Sequence, residues 1–293
     1  MVGDGHGRTW VLLGLLWVLS FPLPAQRVDT VALGRHLQEA KKQPDSAWTY
    51  LKKALAEIGP DSTHAWASRV YFELGASYYL QGELDSSRHY LQAALTGGTI
   101  TKVQADAWLL ISHIEALEAQ YTAARQAAQE ARQQYSLLGD TLGLGRSWLN
   151  ESTAWYKAGE LDRAVAGYLN ALAFFKGVGQ TSAEASTLLG LGSVHLDQGS
   201  YTRARSHFDE ANALYQSIQD TTGQAQARQN LSLWYARQGL RDSAQAELRQ
   251  SAVLYLAAED SVGWAETQNL QGNLAFEAQQ WAQARDYYAG YAA

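Results

Sequence analysis

The chain carries 293 residues, with 29 acidic against 23 basic side chains, a formal charge of −6 that disfavours nucleic acid and anionic membrane surfaces as partners. It contains no cysteine, which excludes a disulfide framework, thiolate metal sites, a cysteine nucleophile and cysteine-linked lipid. Its length suits one large or two ordinary domains, and the pattern along it favours one continuous array.

Residues 1–25 read as a secretory signal peptide. A short polar start ends in Arg8, the apolar stretch WVLLGLLWVLSF runs from Trp10 to Phe21, and PLPAQ follows, placing cleavage after Ala25. Ser20 and Pro22 interrupt the apolar run, which falls short of the roughly 20 residues of a membrane-spanning helix. The expected location is therefore outside the cytoplasm, periplasmic or secreted. No membrane-spanning segment is expected after cleavage. The alternative is a leader kept as an N-terminal anchor.

From residue 26 to 293 the chain repeats itself. Small or turn-forming residues stand at Gly82, Ala119, Gly159, Gly199 and Gly239, with Gln279 40 residues further on and an imperfect earlier copy at Lys42. Five residues after each comes a small side chain: Ala47, Ser87, Ala124, Ala164, Ala204, Ala244 and Ala284. Four later stands a usually large one: Leu51, Leu91, Ala128, Tyr168, Phe208, Leu248 and Tyr288. Seven residues before the turn, Gly75, Ser112, Ser152, Gly192, Ser232 and Gly272 are all Gly or Ser. Spacings of 3, 4 and 7 belong to closely packed helices. Each repeat is thus a helical hairpin, and no segment alternates with the period of a strand.

At these positions, in segments such as LLGLGSVHLDQGSYTRARSHFDEANALY, the chain resembles the tetratricopeptide repeat family over about residues 28 to 293. A repeat near 40 residues, without the family's proline late in the second helix, is similar to an extended-repeat subclass found in bacterial regulatory and sensor proteins. The resemblance implies an all-α, right-handed superhelical solenoid of about seven hairpins, the last one incomplete. The first helices would line a concave groove. Mapped onto this chain, the groove positions are Phe72, Tyr79, Leu109, His113, Leu149, Tyr156, Leu189, Leu233, Arg237, Asn269, Asn273 and Phe276. Asn150 and Asn230 fall where side-chain amides hold a ligand backbone. Gly190 and Leu270 break that ladder, and the family's clamp for terminal carboxylates is not reproduced.

An acid, a hydroxyl and a glycine recur in GDTLG, QDTTG and EDSVG. Thr101, Thr141, Thr181, Thr221 and Ser261 are the expected helix N-caps, with capping boxes to Gln104, Glu184 and Gln224. Asp140, Asp220 and Asp260 add negative charge at the positive helix ends.

Chemistry-bearing motifs are sparse. GLGRS and GLGS have no preceding strand, so Gly145 and Gly192 read as packing sites. The sequons at Asn150 and Asn230 place their serines at the small packing position. The histidines, including His113 and His195, form no paired zinc motif. Trp108 and Trp148 read as core. No catalytic residue, metal or cofactor is expected. The function that fits is an exported scaffold or adaptor gripping a protein or peptide segment. The alternative is the extracytoplasmic sensor region of a longer signalling protein, a histidine kinase or repeat-bearing regulator. The final hairpin, with Tyr287, Tyr288 and Tyr291, would offer an uncovered face on which a second copy could stack end to end.

Overall fold

The computed structural model describes residues 32, 35, 36, 38, 39, 47–58, 66–96 and 100–291. The leader expected over residues 1–25, its cleavage point and the repeat copy at Lys42 lie outside the described residues. Among those described there are 13 helices and no strand. They are α1 (Ala47–Ile58), α2 (Ala67–Leu80), α3 (Leu84–Ala94), α4 (Lys102–Leu117), α5 (Tyr121–Leu138), α6 (Thr141–Lys157) and α7 (Leu161–Val178). There follow α8 (Thr181–Asp197), α9 (Tyr201–Ser217), α10 (Thr221–Arg237), α11 (Arg241–Ala257), α12 (Ser261–Glu277) and α13 (Trp281–Tyr291).

Each helix packs on the next, giving the hairpins α2/α3, α4/α5, α6/α7, α8/α9, α10/α11 and α12/α13. The turn inside every hairpin is left-handed: Gly82, Ala119, Gly159, Gly199, Gly239 and Gln279 all have positive φ, from 59° to 79°. This explains why glycine prevails at the turn, since a side chain there meets its own backbone.

Within a hairpin, a small residue on the first helix faces a large one on the second. A Cβ at Gly75 would lie 2.7 Å from Leu91, at Gly192 2.3 Å from Phe208, and at Gly272 2.4 Å from Tyr288. Only a missing side chain lets these helices approach so closely. Between hairpins the same device recurs in the other direction. Cβ atoms at Gly143, Gly223 and Gly263 would lie 2.2 Å from Tyr135, Tyr215 and Tyr255, rings that are fully buried or nearly so.

That contact accounts for the acid–hydroxyl–glycine motif and corrects the expected caps. Thr101 does cap α4, in a complete capping box with Gln104. In α6, α10 and α12 the cap is instead the acid one residue earlier. Asp140, Asp220 and Asp260 each accept the N–H of Gly143, Gly223 and Gly263 at 2.8 Å. Thr141, Thr221 and Ser261 are the first helical residues. α8 starts after Gln180 with no side-chain cap, so neither Thr181 nor Glu184 forms a box. Aspartate reaches the N–H three residues on from the residue before the helix, and the glycine there leaves room for the preceding tyrosine.

Polar seams hold successive hairpins together on their flanks. Arg88 of α3 pairs with Glu115 of α4 and with Glu118, which caps its C-terminal end. Arg125 of α5 lies 3.9 Å over the ring of Trp155 in α6. Arg132 pairs with buried Glu151 and stacks on Trp148 at 3.8 Å, so Trp148 is partly buried under a guanidinium. Arg205 of α9 donates to the Tyr235 hydroxyl of α10 at 3.0 Å.

Candidate binding groove

First helices also pack on one another, α2 on α4, α4 on α6, α6 on α8 and α8 on α10. This places them on one continuous face. Two cavities open along it, sharing His113 and Asn150 as a common wall.

One cavity, of about 410 Å³, is bounded by Phe72, Leu109, Lys102, Asp106 and Arg146. Its acid is engaged, since Asp106 accepts the Tyr135 hydroxyl. Lys102 reaches Asp140, which holds the Asp140 carboxyl below its ordinary pKa. The Tyr135 hydroxyl is pushed far above its usual pKa by burial and then by Asp106.

The other, of about 310 Å³, lies between α4, α6 and α8 and is walled by Leu149, Thr153, Tyr168, Ser186 and Gly190. Tyr168 comes from α7, the second helix of its hairpin, and reaches this face because residue 190 is glycine. A Cβ at Gly190 would sit 2.7 Å from the Tyr168 ring. Thr153 donates to the Leu149 carbonyl at 2.9 Å and lies 3.1 Å from the Tyr168 hydroxyl. Burial pushes the pKa of that hydroxyl up to about 12, so it stays protonated. Ser112 closes the floor, its buried hydroxyl without a hydrogen-bond partner.

His113 stands edge-on to the Tyr79 ring, 5.6 Å between centroids. Desolvation within the groove, and next the charge of Lys157, lower its pKa from the ordinary 6.5, leaving the ring neutral at pH 7. Asn150 donates its amide N–H to the Leu109 carbonyl at 3.1 Å, bridging α6 to α4.

The remaining sequence-selected residues fall into separate groups. Tyr156 donates to Asp197 at 2.8 Å, and Arg237 reaches the same carboxylate at 3.4 Å, a tie across three hairpins. Burial, then Asp197, raises the Tyr156 pKa well above its usual 10.0. Asn230 accepts from Ser193 at 3.2 Å and donates to the Gln226 carbonyl. Asn273 accepts from Tyr288 at 2.8 Å, and Asn269 is half-buried on α12. Phe276 is elsewhere: it packs on Trp281 and lines a third cavity, of about 520 Å³, at the C-terminal hairpin.

Sequence reasoning missed Thr153, Tyr168 and Ser186 as groove residues, and took Gly190 only as a gap in the amide ladder. The available signal was the pairing of a bulky Tyr168 with a glycine 22 residues later, but the repeat pattern assigns Tyr168 to the core. Among the described residues, no group of three or more potential metal ligands occurs and no helix is long and apolar enough to cross a membrane.

Residues 183–257 match the sequence profile of the tetratricopeptide repeat. No curated protein matches the sequence. Similar solved structures include the apo form of RapI, at a TM-score of 0.74 and 14% identity over 89% of this chain and 95% of that one. A Rap protein complexed with competence and sporulation factor gives a TM-score of 0.69 at 12% identity, over 94% and 89%. A signal transduction ATPase with a tetratricopeptide repeat sensor, from Pyrococcus horikoshii, gives 0.61 at 14% identity, over 88% of this chain and 42% of that one. At these identities the likeness concerns the fold.

Proposed function

We propose that this tetratricopeptide-repeat solenoid is a scaffold that captures an extended segment of another protein along the face formed by its first helices. The observation that carries this reading is the contrast between layers. The interhelix contacts repeat from hairpin to hairpin, whereas beside a constant Leu109, Leu149 and Leu189 the neighbouring groove positions vary: His113, Thr153 and Ser193 at one, Leu110, Asn150, Gly190 and Asn230 at another. A surface of fixed geometry and varying chemistry suits a ligand read residue by residue. The two adjoining cavities give such a ligand places to seat side chains. That a protein of this fold has been seen in complex with competence and sporulation factor supports the same use here.

The experiment is site-specific photo-crosslinking, with a benzoylphenyl side chain placed at His113 in the groove or at Arg249, exposed on second helix α11. Defined adducts from position 113 and none from 249 are expected. Equal adducts from both, or none from either, overturn the reading.

The scaffold works outside the cytoplasm, a reading supported by the apolar stretch between Arg8 and Ala25. Mature protein should begin at Gln26, and mass spectrometry finding Met1 on the recovered protein overturns that. A second reading, the sensing region of a longer signalling protein, is favoured by the likeness to the Pyrococcus horikoshii ATPase, a protein with a tetratricopeptide repeat sensor of which 42% is covered.

A further inference from the structure

We infer that the cavity beneath Gly190 is the groove's specificity subsite, taking one uncharged, hydrogen-bonding side chain of the captured segment. This rests on the groove reading above and adds the chemical class of the residue that is read.

The inference follows from which hydrogen-bonding capacity the walls have left. Thr153 spends its only proton on the Leu149 carbonyl. The Tyr168 hydroxyl, 3.1 Å away, then directs its proton to Thr153 and keeps its lone pairs. Asn150 spends a donor on the Leu109 carbonyl, leaving its carbonyl oxygen facing no protein donor. A neutral His113 adds one ring nitrogen as an acceptor. The cavity therefore offers lone pairs on Tyr168, Asn150 and His113 and protons on Ser112, Asn150 and His113, so a ligand that fills it must itself hydrogen-bond.

Charge narrows the class further. A carboxylate would enter a partly desolvated space whose walls hold no cation, a costly transfer. An ammonium would find acceptors but no wall carboxylate to neutralise it. Neutral polar side chains remain, namely amide, hydroxyl or indole. Leu149 and Gly190 supply apolar contact for the body of such a residue. A volume of about 310 Å³ accommodates one large side chain.

Two neighbouring repeats supply the means to close the subsite without disturbing the fold. The pair that corresponds to Gly190 and Tyr168 one repeat further on is Asn230 of α10 and Phe208 of α9, again 22 residues apart. The variant Gly190→Asn/Tyr168→Phe therefore removes the hydroxyl and fills the space with a pair this architecture already accepts. Should that variant melt early, Asn150→Leu replaces it, since Leu110 and Leu270 hold this position in α4 and α12.

The probe is a phage-displayed library of random ten-residue peptides, selected on the wild type and on the variant. Enrichment of Asn, Gln, Ser, Thr, Tyr or Trp at one fixed position on the wild type is expected. Affinity of the selected peptide for the variant should drop about tenfold, the loss of one or two hydrogen bonds. Enriched peptides with Asp, Glu, Lys or Arg at the fixed position, or with the same preference on both proteins, overturn the subsite while leaving the groove reading intact. No enrichment on either protein overturns both.

Discussion

One carboxylate fixes where each of α6, α10 and α12 begins, because it alone reaches the N–H three residues into the chain. Asp220→Ala should lower stability by about 1 kcal/mol, read as a shift of the urea midpoint. Thr181→Ala should leave the midpoint unchanged, because α8 begins without any side-chain cap. A larger loss at Thr181 than at Asp220 would overturn the assignment. The acid and the hydroxyl are adjacent and both cap helices well, so the sequence located these helix starts to within one residue. What decides between them is the glycine three residues after the acid, whose role depends on a tyrosine from the preceding helix. That tyrosine lies eight residues upstream, across a helix end, where no local propensity rule connects the two.

Among elements, the joint between hairpins is a ring lying on a bare backbone. Gly223→Ala should cost about 1–3 kcal/mol through overpacking against Tyr215. Combined with Tyr215→Leu, its added cost should shrink, giving a coupling of the kind contacting residues show in a double-mutant cycle. Strict additivity would mean the two residues do not press on each other. Hairpin pairing was legible in advance because Gly or Ser at one place and a bulky residue 16 positions later, as in Gly192 and Phe208, can face each other only across two antiparallel helices. The groove was legible in outline through Asn150 and His113. Its deeper cavity was not, since Tyr168 follows the spacing of a core residue and is one, its buried ring meeting the cavity only because Gly190 has no side chain to cover it. Similarly, Tyr156 and Arg237 were legible as members of first helices. Their tie through Asp197 was not, since it links residues 40 and 41 apart across separate hairpins.

Across the whole molecule, two histidines in different hairpins respond to acid in the same direction. His113 has its pKa lowered by desolvation and then Lys157. His207 is lowered by burial first, then by His195, which stacks on it at 5.4 Å; Arg203 and Lys176 act in the same sense and Glu210 opposes them. Both start from an ordinary 6.5, so between their lowered values and 6.5 the unfolded chain binds more protons than the folded one. Stability is therefore full above pH 6.5 and declines as pH falls below it. Urea midpoints should be lower at pH 5.5 than at pH 7.5, and His113→Gln/His207→Gln should flatten the difference. An unchanged slope in that variant would assign the acid response to other groups.

The joint at Tyr135, Asp140 and Gly143 has the same parts as the joint at Tyr215, Asp220 and Gly223. Chain cut at one and resealed at the other should not notice the exchange. Deleting residues 140–219 joins Gly139 directly to Asp220, setting α10 against the Tyr135 ring in place of α6. The shortened protein should keep its helical signal per residue and melt in one transition at a lower temperature, having fewer interfaces to share the load. It should also lose adducts from a crosslinker at position 113, whose neighbours Asn150 and Gly190 leave with the excised pair. A shortened chain that fails to fold would mean that hairpins sharing this joint are not spare parts for one another.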